Sequence, residues 1–308
     1  MAMTTSTKYL IVIVGPTGSG KSDLAIEIAE RCSAPIISTD SRQFYRGIPI
    51  GTAQPDGEQL RRIEHHFIAS HDLEQEFNCG AYETAALKKL DDLYRQHDVV
   101  VAVGGSGLYI KALCEGMDSL PEAEPELRER LATRLRDEGL ESLCEELRQR
   151  DPAYYEEVDR NNPARVLRAL EVCITTGLPY SSLRTGVKHQ RPFEIIKLGI
   201  DMERERLYDR INRRVDVMMQ QGLEQEARAV YHLRSLNSLQ TVGYREMFDY
   251  FDGTTTRDEA IELIKRNSRR YAKRQMTWFR RDEEIKWVDT ADRKIINQYL
   301  DSKICTLK

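Results

Sequence analysis

The chain has 308 residues, enough to bury a full hydrophobic core. Its formal net charge of −4 excludes bulk cationic binding to nucleic acid, so any such contact must come from a local basic surface. The longest apolar runs, at residues 10–14 and 99–103, are too short to span a bilayer, and residues 1–7 lack the apolar segment of an export signal. Six cysteines without paired spacing indicate reduced thiols. We expect a cytoplasmic monomer that makes no contact with membranes.

A phosphate-binding motif opens the chain. The apolar run at residues 9–14 predicts a buried strand, and residues 22–31 predict a helix. Between them, Gly15-Pro-Thr-Gly-Ser-Gly-Lys21-Ser22 fits the P-loop pattern G-x-x-x-x-G-K-[ST]. Backbone N–H groups and Lys21 would hold a di- or triphosphate, most often that of ATP, and Ser22 would help to hold Mg²⁺. The predicted phosphate-binding residues are Gly15, Thr17, Gly18, Ser19, Gly20, Lys21 and Ser22.

Strands and helices alternate through residue 115. Two of the strands are fully apolar, which is typical of strands that are covered on both faces. We therefore predict an α/β fold: a P-loop NTPase-like core with a parallel sheet flanked by helices. The predicted elements are strands at 35–39, 66–68 and 98–103, helices at 82–95 and 108–113, and an irregular loop at 44–55.

Residues 116–193 contain no convincing strand and are rich in charged amphipathic segments. They predict an all-helical insertion domain, placed within a core made of residues 1–115 and 194–308. Its predicted helices lie at 125–137, 139–150 and 162–176.

The chain after the insertion is predicted to be mostly helical. In the helix at 204–221, Arg214 borders the apolar stripe and can point towards an interior site, whereas Arg213 points to solvent. The other predicted elements are strands at 194–200 and 285–288 and helices at 223–236 and 256–281.

Asp40 is the only acid just after a core strand near the P-loop. At the carboxyl edge of a parallel sheet it would face the ligand site, although a turn or capping role is the alternative. The apolar strand at 98–103 ends in Gly104-Gly105, without the acid that many ATPases and GTPases use to hold Mg²⁺. This pattern disfavours a motor or GTPase.

A basic segment near the C-terminus indicates an anionic partner. From residue 263 to residue 281 there are eight Lys or Arg and no acid, with aromatic residues between them. Arg270 and Arg274 of this segment, with Arg165 and Arg168 of the insertion, are candidate nucleic-acid contacts.

Taken together, these motifs resemble those of the tRNA dimethylallyltransferases, also called tRNA isopentenyltransferases, over roughly residues 10–290. The zinc-finger tail of eukaryotic members is absent, which predicts a bacterial-type enzyme. Gln54 and Pro49 depart from the usual Lys and Asp of the family. The matching motifs are the P-loop, Asp40–Arg46, Gly51–Pro55, His65–Ile68, Gly104–Tyr109, Asn162–Arg165, Val242–Arg245 and Ala272–Trp278.

The resemblance implies transfer of a dimethylallyl group from dimethylallyl diphosphate to N6 of the adenosine immediately 3′ of the anticodon in tRNA. Diphosphate would leave, held by the P-loop, Arg214 and Mg²⁺. Asp40 would accept a proton from N6. Lys21, Ser22, Asp40 and Arg214 are thus the implied catalytic residues.

The resemblance also implies contacts with the anticodon stem-loop, which the insertion would clasp from the opposite side. Gln43 could read a base edge. The implied tRNA-binding residues are Asp40, Ser41, Arg42, Gln43, Ser106, Arg128, Ala164, Arg165, Arg168, Gln240, Gly243, Tyr244 and Arg245.

Three other functions remain open on the sequence. Dimethylallyl transfer to free AMP or ADP would need neither the insertion nor the basic segment. A P-loop small-molecule kinase would use ATP and activate a hydroxyl with Asp40. A non-catalytic, ATP-dependent RNA-binding protein would need no proton acceptor.

Overall fold

A computed structural model describes residues 7–304 of the chain. Six strands form its central sheet, and every strand pair is parallel. The strands are β1 (Tyr9–Val14), β2 (Ile36–Ser38), β3 (His65–His66), β4 (Val99–Gly104), β5 (Glu194–Ile200) and β6 (Lys286–Val288).

The strand order is β3-β2-β4-β1-β5-β6, with β1 near the centre. Side chains of β1 alternate between two apolar clusters: Leu10 and Val12 belong to one, and Ile11 and Ile13 to the other. Because successive residues of a strand point to opposite faces, both faces of the sheet are covered. The predicted α/β fold with a parallel sheet flanked by helices is confirmed.

The first third of the chain holds more helix than its pattern predicted. A short helix interrupts the predicted loop at 44–55, and the predicted edge strand at 66–68 is instead His65–His66. The helix predicted at 82–95 begins at Cys79, because the Asn78 side chain accepts the Ala81 N–H at 2.9 Å and caps it. These helices are α1 (Lys21–Cys32), α2 (Pro49–Thr52), α3 (Gly57–Arg62), α4 (Cys79–Leu93) and α5 (Gly107–Glu115).

A second compact unit runs from Gly116 to His189 and has its own apolar core. The boundary predicted at 193 comes four residues earlier, since Arg191 belongs to the first unit, where it donates to the carbonyls of Ala112 and Leu113. The helices of this unit are α6 (Pro125–Asp137), α7 (Gly139–Arg150), α8 (Pro152–Glu157), α9 (Pro163–Thr176) and α10 (Tyr180–Leu183).

The remaining elements return to the first unit. The helix predicted at 223–236 ends at Ala229 and continues as 3₁₀ turns at Tyr231–Leu233 and Asn237–Leu239. The helices are α11 (Arg204–Gln221), α12 (Leu223–Ala229), α13 (Tyr244–Phe251), α14 (Arg257–Phe279) and α15 (Arg293–Lys303).

The five cysteines that the structure describes form no disulfide with one another. Cys114, Cys144 and Cys173 are buried, and Cys32 and Cys79 are partly buried; Cys305 lies outside the described residues. Among residues 7–304, no helix combines the length and hydrophobicity needed to cross a membrane.

A buried lysine forms ion pairs with three carboxylates near the edge of the sheet. Lys197 of β5 is 4% exposed and lies among three carboxylates, at 2.7 Å from Asp282, 2.8 Å from Glu284 and 3.6 Å from Glu115. Burial alone would lower the pKa of Lys197, but hydrogen bonds to Asp282 and Glu284 outweigh it and raise that pKa above its usual value. The ammonium therefore occupies the centre of the acidic cluster.

Replacing this lysine should be costly. Lys197→Met removes the buried ammonium from among three carboxylates that lie within 4.8 Å of one another, so we expect a loss of about 3 kcal/mol in the free energy of unfolding, measured with urea at neutral pH. Because the pKa is raised in the folded state, this contribution is complete below the unfolded-state pKa of about 10.5 and is lost at higher pH. The exposed Lys286→Met on β6 is the control; equal stability of the two variants would contradict the account.

Candidate active site

The candidate site lies at the carboxyl ends of β1, β2 and β4. The strands β1 and β4 are neighbours in the sheet. The connection after β1 leads past β4 to β2, whereas the connection after β4 leads past β1 to β5, in the opposite direction. Such a switch between neighbouring strands opens the crevice where parallel α/β sheets bind ligands. Val14 pairs with Gly104, and the Thr39 N–H donates to the Val103 carbonyl at 2.8 Å. The P-loop, Asp40 and the turn after β4 therefore meet at this edge.

The P-loop has the backbone of an anion site. Gly18 and Gly20 have φ values of 80° and 89°, in the left-handed region that favours glycine. A Cβ on Gly18 would lie 3.0 Å from Ile211 of α11, so a side chain there would be crowded as well as strained. Gly20 precedes α1 and gives that helix no side-chain cap. The first-turn amides of α1 are thus left to bind an anion.

Two cations, Lys21 and Arg214, interact electrostatically with the Asp40 carboxylate. Burial lowers the pKa of Lys21 to about 8; Asp40 acts to raise it, and Arg214 acts to lower it. Burial also lowers the pKa of Arg214, with Asp40 again opposing the shift. Arg213, by contrast, is 77% exposed and pairs with Asp209 at 2.6 Å. The predicted orientation of these two adjacent arginines is confirmed.

The lowered pKa of Lys21 predicts that diphosphate binding depends on pH. The protonated amine attracts a diphosphate, so affinity for inorganic pyrophosphate should fall as pH rises above about 8, by up to tenfold per unit. Lys21→Met lacks this group. The ratio of wild-type to Lys21→Met affinity, measured by calorimetry at constant ionic strength, removes the titration of the ligand itself and should decline between about pH 7 and pH 9.5. A constant ratio would contradict the assignment.

Asp40 is held by its own turn. Its Oδ1 accepts the Arg42 N–H at 3.0 Å, and its own N–H donates to Ser38 Oγ at 3.2 Å. Within the described chain, Oδ2 accepts no hydrogen bond, so one carboxylate oxygen fixes the turn and the other is free for chemistry. The turn role, which was the alternative on the sequence, is present, and it leaves one carboxylate oxygen available for the predicted ligand-facing role.

The Ser41 and Ser106 hydroxyls form a hydrogen-bonded pair beside Asp40. Ser106 Oγ accepts the Ser41 N–H at 2.9 Å and donates to Ser41 Oγ at 3.1 Å. Tyr271 on α14 lies beside this pair: burial raises the pKa of Tyr271 to about 12, Asp40 adds to the shift, and Ser106 opposes it. Tyr271 is therefore protonated at neutral pH.

Gln43 is engaged inside the protein. Its Oε1 accepts from Ser38 Oγ at 3.1 Å, and its Nε2 donates to the Ala53 carbonyl at 2.8 Å and to that of Thr52 at 3.3 Å. The predicted reading of a base edge does not fit an amide whose groups are already used. Gln54, which departs from the family pattern, donates to the Gln43 carbonyl at 3.1 Å and so supports the same turn.

Tyr244 is fully buried. Its hydroxyl donates to Glu226 at 2.5 Å, and Glu226 accepts the N–H groups of Ile50 and Gly51, both at 2.8 Å. The predicted contact between the Tyr244 side chain and tRNA does not fit this burial. The side chain instead supports α2.

The neighbours of Tyr244 are more accessible. Arg245 and Gln240 are exposed, and Gln240 Nε2 donates to the Arg234 carbonyl at 2.7 Å. Gly243, with a φ of 103°, precedes α13 and is buried. Nearby, Arg42 Nη1 donates to the Asn237 carbonyl at 2.7 Å. Arg245 is thus the predicted contact in this segment whose charge is open to solvent.

The basic segment of α14 divides into two sets. Lys265 pairs with Asp216 at 2.9 Å, Arg269 donates to Asn212 at 2.5 Å, and Arg280 pairs with Asp201 at 3.0 Å. Four of the remaining five lie on α14 itself; they are exposed, have no ion-pair partner among residues 7–304, and fall within an arc of about 100° on the helix. We call them the basic stripe: Arg266, Arg270, Lys273 and Arg274.

The second unit carries four predicted contacts of its own. Ala164 and Arg165 are exposed at the start of α9, which Asn162 caps as expected. Arg168 pairs with Glu171 at 3.1 Å, and Arg128 lies 3.9 Å from the same carboxylate. Arg165 thus offers the more available charge.

Residue patterns missed two supporting side chains. Gln275 of α14 is buried and bonded to the P-loop and to the turn after β4. A glutamine on the buried stripe with Ala272 and Phe279 was the signal that could have revealed it. Glu226 had no comparable signal, because its partners lie 176 and 175 residues away.

Comparisons with known proteins identify the family of this chain. The family model described as IPP transferase matches residues 43–282. The chain is 50% identical to tRNA dimethylallyltransferase 1 of Bacteroides fragilis over 96% of its length and 99% of the relative. It is 51% identical to tRNA dimethylallyltransferase 2 of Porphyromonas gingivalis over 92% of its length and 95% of the relative.

Solved structures give the same result. The tRNA isopentenylpyrophosphate transferase of Bacillus halodurans matches with a TM-score of 0.72 and 36% identity, over 97% of this chain and 98% of that one. A eukaryotic dimethylallyltransferase acting on tRNA matches with a TM-score of 0.79 and 25% identity, over 96% of this chain and 78% of that one. The chain belongs to the IPP transferase family.

Proposed function

We infer that this protein is a tRNA dimethylallyltransferase. The observation that carries the inference is the site itself: Lys21 of the P-loop and Arg214 both interact electrostatically with the carboxylate of Asp40. The relatives named above support the activity. Gly104 and Gly105 end β4 where many P-loop ATPases carry an acid, which favours a diphosphate leaving group over a transferable γ-phosphate.

The donor we propose is dimethylallyl diphosphate. The first-turn amides of α1, Lys21 and Arg214 would bind its diphosphate and stabilise the charge that develops as the bond between C1 and oxygen breaks. Neither cation forms an ion pair with a carboxylate of the described residues, and burial lowers the pKa of both. Their fields therefore act in a poorly solvated site, where charge stabilisation is strongest.

Mg²⁺ fits the residues present. Ser22 lies in the first turn of α1 and is half-buried, and none of the described residues hydrogen-bonds its hydroxyl. Mg²⁺ binds oxygen ligands and takes them from both the protein and the phosphates of a substrate. The Ser22 hydroxyl, beside the anion-binding loop, would be the ligand from the protein. When bound, the ion would supply positive charge to the diphosphate.

The acceptor we propose is N6 of the adenosine immediately 3′ of the anticodon. As the N6–C1 bond forms and the C1–O bond breaks, diphosphate leaves and the N6 proton passes to Asp40 Oδ2. The hydrogen bond from Arg42 to Oδ1 keeps Oδ2 directed to the site. A flipped adenine would be supplied by the anticodon loop at a cost of a few kcal/mol.

The basic stripe favours tRNA over a mononucleotide. Its exposed charges lie on the side of α14 opposite to Ile264 and Gln275, which are buried. If three of them contact phosphates, replacing Arg270, Lys273 and Arg274 by Gln should reduce the slope of log affinity for tRNA against log salt by about 2.

A matched control separates local contacts from net charge. Arg62, Arg148 and Arg293 are paired with carboxylates elsewhere on the surface, so replacing these three by Gln changes the charge equally and should leave the slope within about 0.5. Equal slopes for the two triple variants would show that the basic stripe is a solvated helix face and does not bind tRNA.

Acceptor position is tested with two transcripts. Unmodified tRNA should gain one dimethylallyl group on incubation with dimethylallyl diphosphate and Mg²⁺, located by nuclease digestion and mass spectrometry. A transcript with guanosine in place of the adenosine 3′ of the anticodon should gain none. Equal modification of both transcripts would refute the proposed acceptor.

A further inference from the structure

Gln275 lies on the buried face of α14 and joins the two borders of the crevice. Its side chain is 5% exposed. The amide oxygen accepts the Thr17 N–H of the P-loop at 2.9 Å, and the amide nitrogen donates to the Gly105 carbonyl, after β4, at 2.8 Å. Thr17 is 258 residues away in the chain, so this contact belongs to the tertiary fold.

The contact is one of three between α14 and the turn after β4. A Cβ on Gly105 would overlap the Gln275 amide, and one on Gly107 would overlap the Trp278 ring. Between them, Tyr271 lies beside Ser106. Residues about one helical turn apart on α14 therefore contact consecutive residues of the turn, which fixes the helix in register with the site.

We propose that Gln275 is a positioning residue for the diphosphate, acting through the Thr17 peptide. Thr17 leads into Gly18, whose left-handed backbone turns the following amides towards the anion. By holding the Thr17 N–H, Gln275 keeps the entrance of the loop in the conformation that binds. This inference rests on the proposed diphosphate site and adds a residue outside the P-loop to it.

The test uses inorganic pyrophosphate as the probe, titrated calorimetrically into the full chain with Mg²⁺. Gln275→Met retains the length of the side chain and removes both hydrogen bonds. We expect its pyrophosphate Kd to rise about 10-fold, and its KM for dimethylallyl diphosphate to rise while its KM for tRNA stays within about 2-fold. Gln275→Glu, which loses the donor to Gly105 and adds a negative charge, should weaken binding at least as much and serves if the Met variant does not fold.

Asn267→Ala is the matched control on the same helix. Asn267 donates to Glu246 at 2.8 Å. This hydrogen bond is partly buried and does not involve the P-loop. The Asn267→Ala variant should lower the melting temperature as the Gln275 variants do but leave the pyrophosphate Kd unchanged. A Kd within about 2-fold of wild type for both Gln275 variants would overturn the proposal. A wild-type protein that binds pyrophosphate but transfers no dimethylallyl group would instead refute the proposed function, with the Gln275 comparison still valid.

Discussion

Asp40→Asn is expected to lower the rate of dimethylallyl transfer by about 10²–10⁴-fold while leaving tRNA affinity within a few-fold. Asn keeps the size of the side chain, and its Oδ1 can still accept the Arg42 N–H, so the turn that Asp40 makes is preserved. What is lost is the carboxylate oxygen that would take the N6 proton. Single-turnover kinetics with saturating tRNA isolate this step from binding.

The comparison with Asp40→Ala distinguishes the two roles of the carboxylate. Ala loses the turn as well as the proton acceptor, and should therefore be both inactive and less stable than Asn. Full transfer activity in Asp40→Asn would rule out the general-base role, because Asn cannot accept the proton. A fall in tRNA affinity that matched the loss of rate would assign Asp40 to binding instead.

Arg214→Met is expected to lower kcat/KM for dimethylallyl diphosphate by about 10²–10³-fold. This is the loss typical of removing one group that stabilises the negative charge developing in the transition state. Arg214 is half-buried and acts electrostatically on both Lys21 and Asp40. Because Arg214 lowers the pKa of Lys21, its removal should also shift the pH dependence of pyrophosphate binding to higher pH.

The adjacent Arg213 provides the control for this variant. It lies on the same helix, has the same charge and pairs with Asp209 in solvent. Arg213→Met should remain within about twofold of wild type, since exposed ion pairs contribute little. Similar losses in the two variants would show that net charge, and not the direction of Arg214, determines the effect.

The features that the sequence predicted correctly depend on short-range patterns. The apolar run before Gly15 and the glycines that follow it predict strand, loop and helix within one segment. The position of Arg214 beside the stripe of Leu207, Ile211 and Val215 follows from helical periodicity alone. Asp40 reaches the site because parallel strands bring their carboxyl ends to one edge.

The features that the sequence missed depend on contacts between distant segments. Tyr244 is buried against the Ile48 carbonyl, 196 residues away, so a motif that was assigned to tRNA includes a core residue. Arg269 was counted with the other basic residues, but Asn212 of α11 holds it. The end of α12 at Ala229 also escaped prediction, because residues 223–236 contain neither Gly nor Pro to mark the break.

The central claim is that this P-loop grips the leaving group of an alkyl donor and that the nucleotide is the acceptor. Labelled dimethylallyl diphosphate, offered with Mg²⁺ to unmodified tRNA and to AMP side by side, each with and without ATP, tests it most directly. We predict that tRNA becomes labelled, that diphosphate is released in equal amount, and that AMP is not labelled. Equal labelling of AMP, or consumption of ATP without any prenyl transfer, would contradict the claim.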